Sequence, residues 1–343
     1  MIRKFIKFST LSLAVLLGFT SCDDSDDPEP LPKGDFENGY IVSNEGNFGS
    51  PNSSITFIDS DFLQETNTVF SSINGGNLGD ILQSITFDDD YAFLVVNNSN
   101  KIEVVNRYTF NSVKTITDSI ELPRYAVVEN DKLFVTNSGK QSVEVFDANS
   151  FEYITQIALN KTVEEIKEDN DKIYVMNAAW GYGNEITVID ANTNAVIDSV
   201  TVGDGLNSME IEDGILYALH STGITKVNTS TDDVIGEITF EDGLSSVSKL
   251  EVEDDYIYFI SGSKIFKYAT DVTSLVNTEL VDTQVDDASW FIGYGFNVVD
   301  DKLFYTDVKG FTENSEVSVY DLDGTFLSSF SAGIGANGVY DND

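Results

Sequence analysis

The chain has 343 residues and carries 58 acidic against 19 basic side chains, a formal net charge of −39. A field of this sign repels phosphate backbones and anionic lipid headgroups, which argues against a nucleic-acid-binding protein. The sequence contains one cysteine and one histidine. It therefore excludes an internal disulfide and offers no His/Cys cluster for zinc.

Residues 1–21 are typical of an export signal. Three basic residues among the first seven precede an apolar stretch at residues 11–19, which is too short to span a bilayer. The sole cysteine, Cys22, follows directly. This arrangement resembles a bacterial lipoprotein box, which implies that Cys22 is lipidated and becomes the new N-terminus. A plain signal peptide followed by a chance cysteine is the alternative.

Residues 22–38 are predicted to form an extended tether, because they hold an acidic run at 23–27 and three of the five prolines of the chain. Acidic residues behind a lipidated cysteine resemble the surface-export signal of lipoproteins in Bacteroidota. The resemblance implies an outer-membrane lipoprotein exposed on the cell surface, and membrane contact only through the lipid. A tether that faces the periplasm is the alternative.

A short apolar strand headed by an acidic turn recurs about every 40 residues from residue 39 to the end. If residues 41, 93, 134, 174, 217, 258 and 304 are equivalent, the intervals are 52, 41, 40, 43, 41 and 46 residues. Repeats of this length, rich in β-branched and aromatic residues, are typical of β-propellers. Seven copies predict seven blades, within a single domain at residues 39–343.

The fourth repeat shows the parts of one blade. Turn-forming residues separate four strands, which are predicted at residues 164–168, 172–177, 185–190 and 195–202. The first repeat lacks its first strand, and residues 334–341 resemble that missing strand. The fold class is therefore all-β, a seven-bladed β-propeller of four-stranded antiparallel blades whose C-terminal strand closes blade one.

Antiparallel connectivity places two kinds of loop on the same face, here called the top face: the loops between strands two and three, and those between blades. Four of these loops are long and rich in aromatic residues, glycine and asparagine. Long loops on a rigid scaffold usually carry binding residues. The predicted ligand-binding residues are Asn44, Glu45, Asn47, Phe48, Tyr125, Asn177, Trp180, Tyr182, Asn184, Trp290, Phe291, Tyr294 and Phe311. The alternative is that these rings plug the channel mouth or pack between blades.

The turns of the opposite face are short and acidic, as in residues 88–90, 169–171 and 254–255. They follow no calcium-loop signature, so turn formation and solvation explain them better than metal binding. No metal site and no catalytic residues are predicted. His220 stands where other blades have asparagine, and a structural role is favoured for it. No nucleophile with a partner base is visible.

Two resemblances suggest a function. Residues 134–137 and 174–177 resemble the YVTN repeat of exported, YncE-like seven-bladed propellers. Residues 39–49, with their Asn-Glu-Gly-Asn-aromatic-Gly core, resemble the opening of a family of Bacteroidota lipoprotein propellers. One branch of that family (BtuG-type) captures cobalamin at the cell surface and passes it to a TonB-dependent outer-membrane transporter.

These resemblances imply a non-enzymatic lipoprotein that captures a nutrient, with cobalamin as the leading ligand, no cofactor, and a TonB-dependent transporter as partner. Two alternatives stay open. One is a propeller hydrolase or lyase, lactonase-like, that uses His220 and a top-face carboxylate. The other is an adhesion or protein-interaction scaffold.

Overall fold

The computed structural model describes residues 33–241, 243–285 and 291–343. The predicted signal peptide, Cys22 and residues 22–32 of the predicted tether lie outside the described residues, so these assignments stay predictions. Within the described part of the chain, packed structure begins at Phe36, whose ring lies edge-on to Phe57 and Phe110 at 5.5 and 5.4 Å. No helix of that part is long and apolar enough to cross a membrane.

The strands form seven antiparallel sheets, one for each blade. In each blade the first strand borders the channel and the last lies at the outer edge. Blade one contains β29 (Ala336–Asp341), β1 (Gly39–Asn44), β2 (Ser54–Asp59) and β3 (Glu65–Thr66). Blade two contains β4 (Leu82–Asp88), β5 (Tyr91–Val96), β6 (Lys101–Asn106) and β7 (Ser112–Ile116). Blade three contains β8 (Pro123–Glu129), β9 (Lys132–Asn137), β10 (Ser142–Asp147) and β11 (Tyr153–Ala158).

The remaining blades repeat this plan. Blade four contains β12 (Ile166–Asp169), β13 (Lys172–Met176), β14 (Glu185–Asp190) and β15 (Ala195–Thr201). Blade five contains β16 (Ser208–Glu212), β17 (Ile215–His220), β18 (Gly223–Asn228) and β19 (Val234–Phe240). Blade six contains β20 (Val247–Glu253), β21 (Tyr256–Ser261), β22 (Lys264–Ala269) and β24 (Val281–Asp282). Blade seven contains β25 (Gly295–Val299), β26 (Lys302–Asp307), β27 (Glu316–Asp321) and β28 (Phe326–Ser331). The predicted all-β, seven-bladed propeller is confirmed.

Acidic two-residue turns join strand one to strand two in several blades. Asn170 and Asp171 have φ angles of 53° and 61°, and Asp254 and Asp255 have φ angles of 50° and 64°. Type I′ hairpin turns require positive φ at both central residues, a conformation that asparagine and aspartate adopt more readily than most residues. Backbone geometry therefore accounts for the acidic residues at these turns. The described residues contain no cluster of three His, Cys, Asp or Glu side chains able to hold a metal ion.

The hydrophobic core lies between blades. In one cluster, Tyr174 and Met176 of β13 pack with Leu216 and Ala218 of β17, and all four are buried. Alternate side chains of each second strand thus face the neighbouring blade. A blade cannot bury its apolar face alone, so the ring as a whole stabilises each unit.

The C-terminal strand closes the ring as predicted. β29 pairs antiparallel with β1, with Ile41 opposite Tyr340 and Val42 opposite Val339. Asn342 follows this strand and is fully buried. Its side chain donates to the backbone oxygen of Arg107 at 3.1 Å and accepts from Arg107 Nε at 2.8 Å.

Two elements depart from the predicted pattern. Helix α1 (Val69–Asn74) lies between blades one and two and accounts for the longest repeat interval. Strand β23 (Ser274–Leu275) pairs parallel with β19 and gives blade five a fifth strand. A six-residue helix and a two-residue strand carry too little periodicity to be recognised from sequence.

Candidate ligand site at the channel mouth

The first strands of the seven blades surround a central channel, which contains a cavity of about 600 Å³. This volume lies within the range of small-molecule sites. Strand-one residues and the top-face loops line it. Its charged lining residues are Glu45, Arg124, Glu165, Lys167, Glu210, Lys249 and Glu251. A protein with a large negative net charge thus places three of its few cations in one cavity.

Irregularities at the top of several first strands shape this lining. The register shifts between residues 82 and 84 of β4, between 123 and 126 of β8, and between 248 and 251 of β20. A bulge leaves extra residues out of the ladder and re-aims their side chains. The displaced residues Gln83, Arg124 and Lys249 line the cavity.

Two of the three cations are neutralised by partners. Arg124 Nε donates to Glu164 at 2.7 Å, and the same guanidinium donates to the side-chain oxygen of Gln83. Lys167 forms an ion pair with Glu210 in the next blade. Because these charges are paired, they brace adjacent blades and contribute less to attracting a ligand.

Three carboxylates of the cavity have a raised pKa. Burial, and after it the neighbouring Glu210, raise the pKa of Glu251 to about 8, while Asn297 Nδ2 donates to it at 3.0 Å. Burial also raises the pKa of Glu165, which accepts a hydrogen bond from the Met209 amide at 2.8 Å. Burial likewise raises the pKa of Glu45. The cavity is therefore less negative at neutral pH than its composition indicates.

Glu45 connects the cavity to the aromatic loops. It accepts hydrogen bonds from the hydroxyl of Tyr294 at 2.7 Å and from Asn337 Nδ2 at 3.1 Å. The Tyr294 ring lies edge-on to Phe311 with centroids 5.0 Å apart, and Phe311 contacts Phe291 at 5.2 Å. One side of the mouth is thus a packed aromatic cluster over a buried carboxylate.

The opposite side carries the most exposed aromatic residue of the described chain. Trp180 is 92 % exposed and borders the cavity. It lies in the loop between β13 and β14, which a bridge between Ala179 and Tyr182 holds in a tight turn. An exposed ring beside a polar cavity offers a face on which a flat ligand can stack.

Several predicted site residues meet at this mouth. Glu45, Tyr125, Trp180 and Tyr294 line the cavity. Tyr125 does so from strand β8 and not from a loop. Three more predicted residues lie beside the cavity at the rim of the mouth. Phe311 packs between Phe291 and Tyr294, and Phe291 is half-exposed. Asn47 donates a hydrogen bond to the backbone oxygen of Phe311 at 2.9 Å.

Other predicted residues do not reach the cavity. Asn44 and Asn177 are buried and hydrogen-bond to their own blades, as with Asn177 Nδ2 to the Thr162 oxygen at 2.9 Å. Asn184 donates to Asp204 at 2.8 Å. Phe48 and Tyr182 are both 81 % exposed and do not line the cavity. Trp290 lies outside the described residues.

The sequence prediction missed the charged residues of the first strands, including Arg124, Lys167, Lys249 and Glu251. The available signal was three basic residues in a strongly acidic chain, each in the first strand of its repeat. In four-stranded propeller blades the first strand borders the channel, so basic residues in these strands point to the channel wall. Loop length alone directs attention to the rim and not to the channel wall.

His220 lies away from the cavity. It is buried at the end of β17, within 3.3 Å of the hydroxyls of Thr222 and Thr225 and 3.6 Å from Glu237 of β19. Gly203 packs flush against the ring, where any Cβ would collide with it. Burial lowers the pKa of His220. Glu45, the top-face carboxylate that lines the cavity, is not among its contacts.

A seven-bladed β-propeller with a polar channel and an aromatic mouth is the class of protein that the fold and the site define. Within that class, the chain belongs to the family described as a domain of unknown function, DUF5074, whose model matches residues 38–332. No curated protein matches the sequence.

The solved structures that share the fold include three with TM-scores between 0.54 and 0.67. A quinonprotein alcohol dehydrogenase-like protein from Bacteroides thetaiotaomicron is similar at 14 % identity and a TM-score of 0.67, over 90 % of this chain and 79 % of that one. BamB from Moraxella catarrhalis is similar at 17 % identity and 0.54, over 88 % and 85 %. The computationally designed Ika8 protein is similar at 12 % and 0.59, over 91 % and 92 %. At identities this low the similarity shows a common fold alone.

Proposed function

We propose that this protein is a non-enzymatic binding protein that captures a small ligand at the top-face mouth of the channel. The observation that carries the proposal is the exposed Trp180 beside a cavity of about 600 Å³. The aromatic cluster of Phe291, Tyr294 and Phe311 faces the same mouth. Aromatic rings exposed to water are unfavourable unless a ligand or partner covers them, so they often mark binding sites. Such rings pack well against planar groups.

The finer proposal is that the protein is a lipid-anchored outer-membrane protein of the cell surface, which captures cobalamin and passes it to a TonB-dependent transporter. Support comes from the sequence around Cys22 and from the resemblance of residues 39–49 to cobalamin-capturing lipoproteins. A corrin ring is wide, nearly flat and fringed with amides. Such a ligand would lie across the mouth, with the exposed rings on its faces.

Calorimetry of the purified protein with cobalamin tests this proposal. Binding at micromolar concentration is expected, and Trp180→Ala and Phe291→Ala should each weaken it. A well-packed aromatic anchor is worth about 2 kcal/mol or more, which is roughly 30-fold in affinity.

Two control variants locate the site. Phe326→Ala removes a ring that has the same 56 % exposure as Phe291 but lies on the outer strand β28. Asp89→Ser alters a turn of the opposite face. Both should bind as the parent does. Absence of binding at micromolar concentration would remove cobalamin, and binding undisturbed by Trp180→Ala would place the site elsewhere.

A further inference from the structure

One cation of the channel is left without a partner. Arg124 and Lys167 are held by Glu164 and Glu210, whereas no carboxylate of the described residues lies within ion-pair distance of Lys249 Nζ. Lys249 lines the cavity and is half-buried. A partly desolvated cation gains more from an opposite charge than a cation in bulk water does.

The backbone at Lys249 is held in an unfavourable conformation. Its φ is 57°, and it is the only non-glycine residue within a described strand that has a left-handed φ. It lies inside the bulge that shifts the register of β20 against β21 between residues 248 and 251. Such strain persists where the surrounding structure imposes it and is concentrated at functional sites.

The carboxylates near Lys249 already have other donors. Its charge acts on Glu45 and Glu165, where it opposes the larger effect of burial, which raises the pKa of both. Glu45 is held by Tyr294 and Asn337, and Glu165 by the Met209 amide. Neither carboxylate neutralises Lys249 by contact, so the ammonium remains available within the cavity.

We propose that Lys249 receives the anionic group of the captured ligand, and that this ligand joins a carboxylate or phosphate to a flat body that stacks at the aromatic mouth. This inference rests on the proposed function and names the class of ligand for the same site. The bulge in β20 brings the ammonium into the channel, and Trp180 borders the same cavity. A charge-assisted hydrogen bond in a partly desolvated site provides the preference for an anion.

Three matched probes test the charge preference by calorimetry: 2-naphthoate, 2-naphthyl phosphate and the neutral 2-naphthamide. At least one anion is expected to bind the parent protein about tenfold or more tightly than the amide. Whether the carboxylate or the phosphate binds better identifies the group that the ligand carries. Anions that bind no tighter than the amide, or that fail to bind at millimolar concentration, would overturn the inference.

Variants of Lys249 separate the effect of its charge on anion binding from an effect on the structure. Lys249→Met should reduce anion affinity to that of the amide, and Lys249→Arg should retain most of it. Lys264→Met is the control, because Lys264 pairs with Glu279 outside the cavity. Unchanged anion binding in Lys249→Met would overturn the inference.

Lys249→Gly is a third variant at this position. Glycine relieves the left-handed strain, so its melting temperature should equal or exceed that of the parent while anion binding is lost. If Trp180→Ala abolishes amide binding but no Lys249 variant changes anion binding, the binding site stands and the anion assignment falls.

Discussion

The hydroxyl of Tyr294 donates a hydrogen bond of 2.7 Å to the buried carboxylate of Glu45, across 249 residues of sequence. Tyr294 precedes the first strand of blade seven, and Glu45 follows the second strand of blade one. The bond therefore joins blade seven to blade one, the blade in which β29 closes the ring. It also fixes the aromatic cluster over the cavity, so the same contact serves the fold and the candidate site.

Tyr294→Phe should lower the free energy of unfolding by about 1–3 kcal/mol, because it removes a donor from a buried carboxylate. The pKa of Glu45 should rise further, since the lost hydrogen bond favours the charged form. Urea unfolding measures the first effect. Tyr182→Phe, at an 81 % exposed ring, is the control and should be neutral. Equal stabilities of Tyr294→Phe and the parent would show that the bond contributes nothing.

The raised pKa of Glu251 predicts that the stability of the protein depends on pH. Its pKa is raised from 4.5 to about 8, first by burial and then by Glu210. Between these values the folded state holds a proton that the unfolded state has lost. The stabilisation is complete below the unfolded pKa and is lost as pH rises through the folded pKa. Melting temperature should therefore fall between pH 5 and pH 8.5.

Glu251→Gln should flatten this pH profile, because the amide keeps an acceptor for Asn297 without a titrating proton. Each unit of pKa shift corresponds to about 1.4 kcal/mol. Some slope should remain, because Glu168 has a pKa raised to about 7 by burial and by Glu129. Glu279→Gln is the control, since the pKa of Glu279 is lowered and lies below this window. A parent profile that is level from pH 5 to pH 8.5 would contradict the assignment.

The blades were predictable from sequence because the information is local. Each strand has about six residues, and turns such as Asn170-Asp171 have the residue types that type I′ geometry requires. Recurrence also explains why Asn177, a predicted site residue, does not reach the cavity. Asn137 and Asn177 occupy equivalent positions, and each donates at 2.9 Å to the segment that leads into its own blade. A polar residue that repeats in this way serves the scaffold.

The channel was not predictable in the same way. Gln83, Arg124 and Lys249 point inwards because bulges shift the register of their strands, and an extra unpaired residue breaks the alternation of apolar and polar positions. For the same reason Tyr125 was assigned to a loop, whereas it lines the cavity from strand β8. Pairings such as Tyr294 with Glu45 join distant segments, and no local pattern encodes them.

Cys22 predicts membrane attachment. Cys22→Ala should release the protein from membranes, because it removes the cysteine that is predicted to carry the lipid anchor. Removal of residues 23–27 should leave the protein anchored but protected from external protease. Fractionation and protease treatment of intact cells measure the two effects. Retention of the Cys22→Ala protein in the membrane fraction would contradict the lipoprotein assignment.

The pairing of the C-terminal strand β29 with β1 predicts that the ring opens when this strand is removed. Deletion of residues 334–343 removes β29 and leaves β1 with an unpaired edge beside blade seven. The truncated protein should lose cooperative unfolding or aggregate. Removal of Asp343 alone is the control, because that residue is exposed and follows the last strand. A truncated protein that melts as the parent does would refute the closure.

Asn342→Ala tests the same closure with a single side chain. Asn342 is fully buried, and its amide joins the C-terminus to Arg107 of blade two and to the backbone of Phe36. The substitution leaves the Arg107 and Phe36 groups without these partners, which should cost about 1–3 kcal/mol or more. Because β29 retains its backbone pairing with β1, unfolding should stay cooperative. The variant should therefore melt at a lower temperature in a single transition, whereas the truncated protein loses that transition.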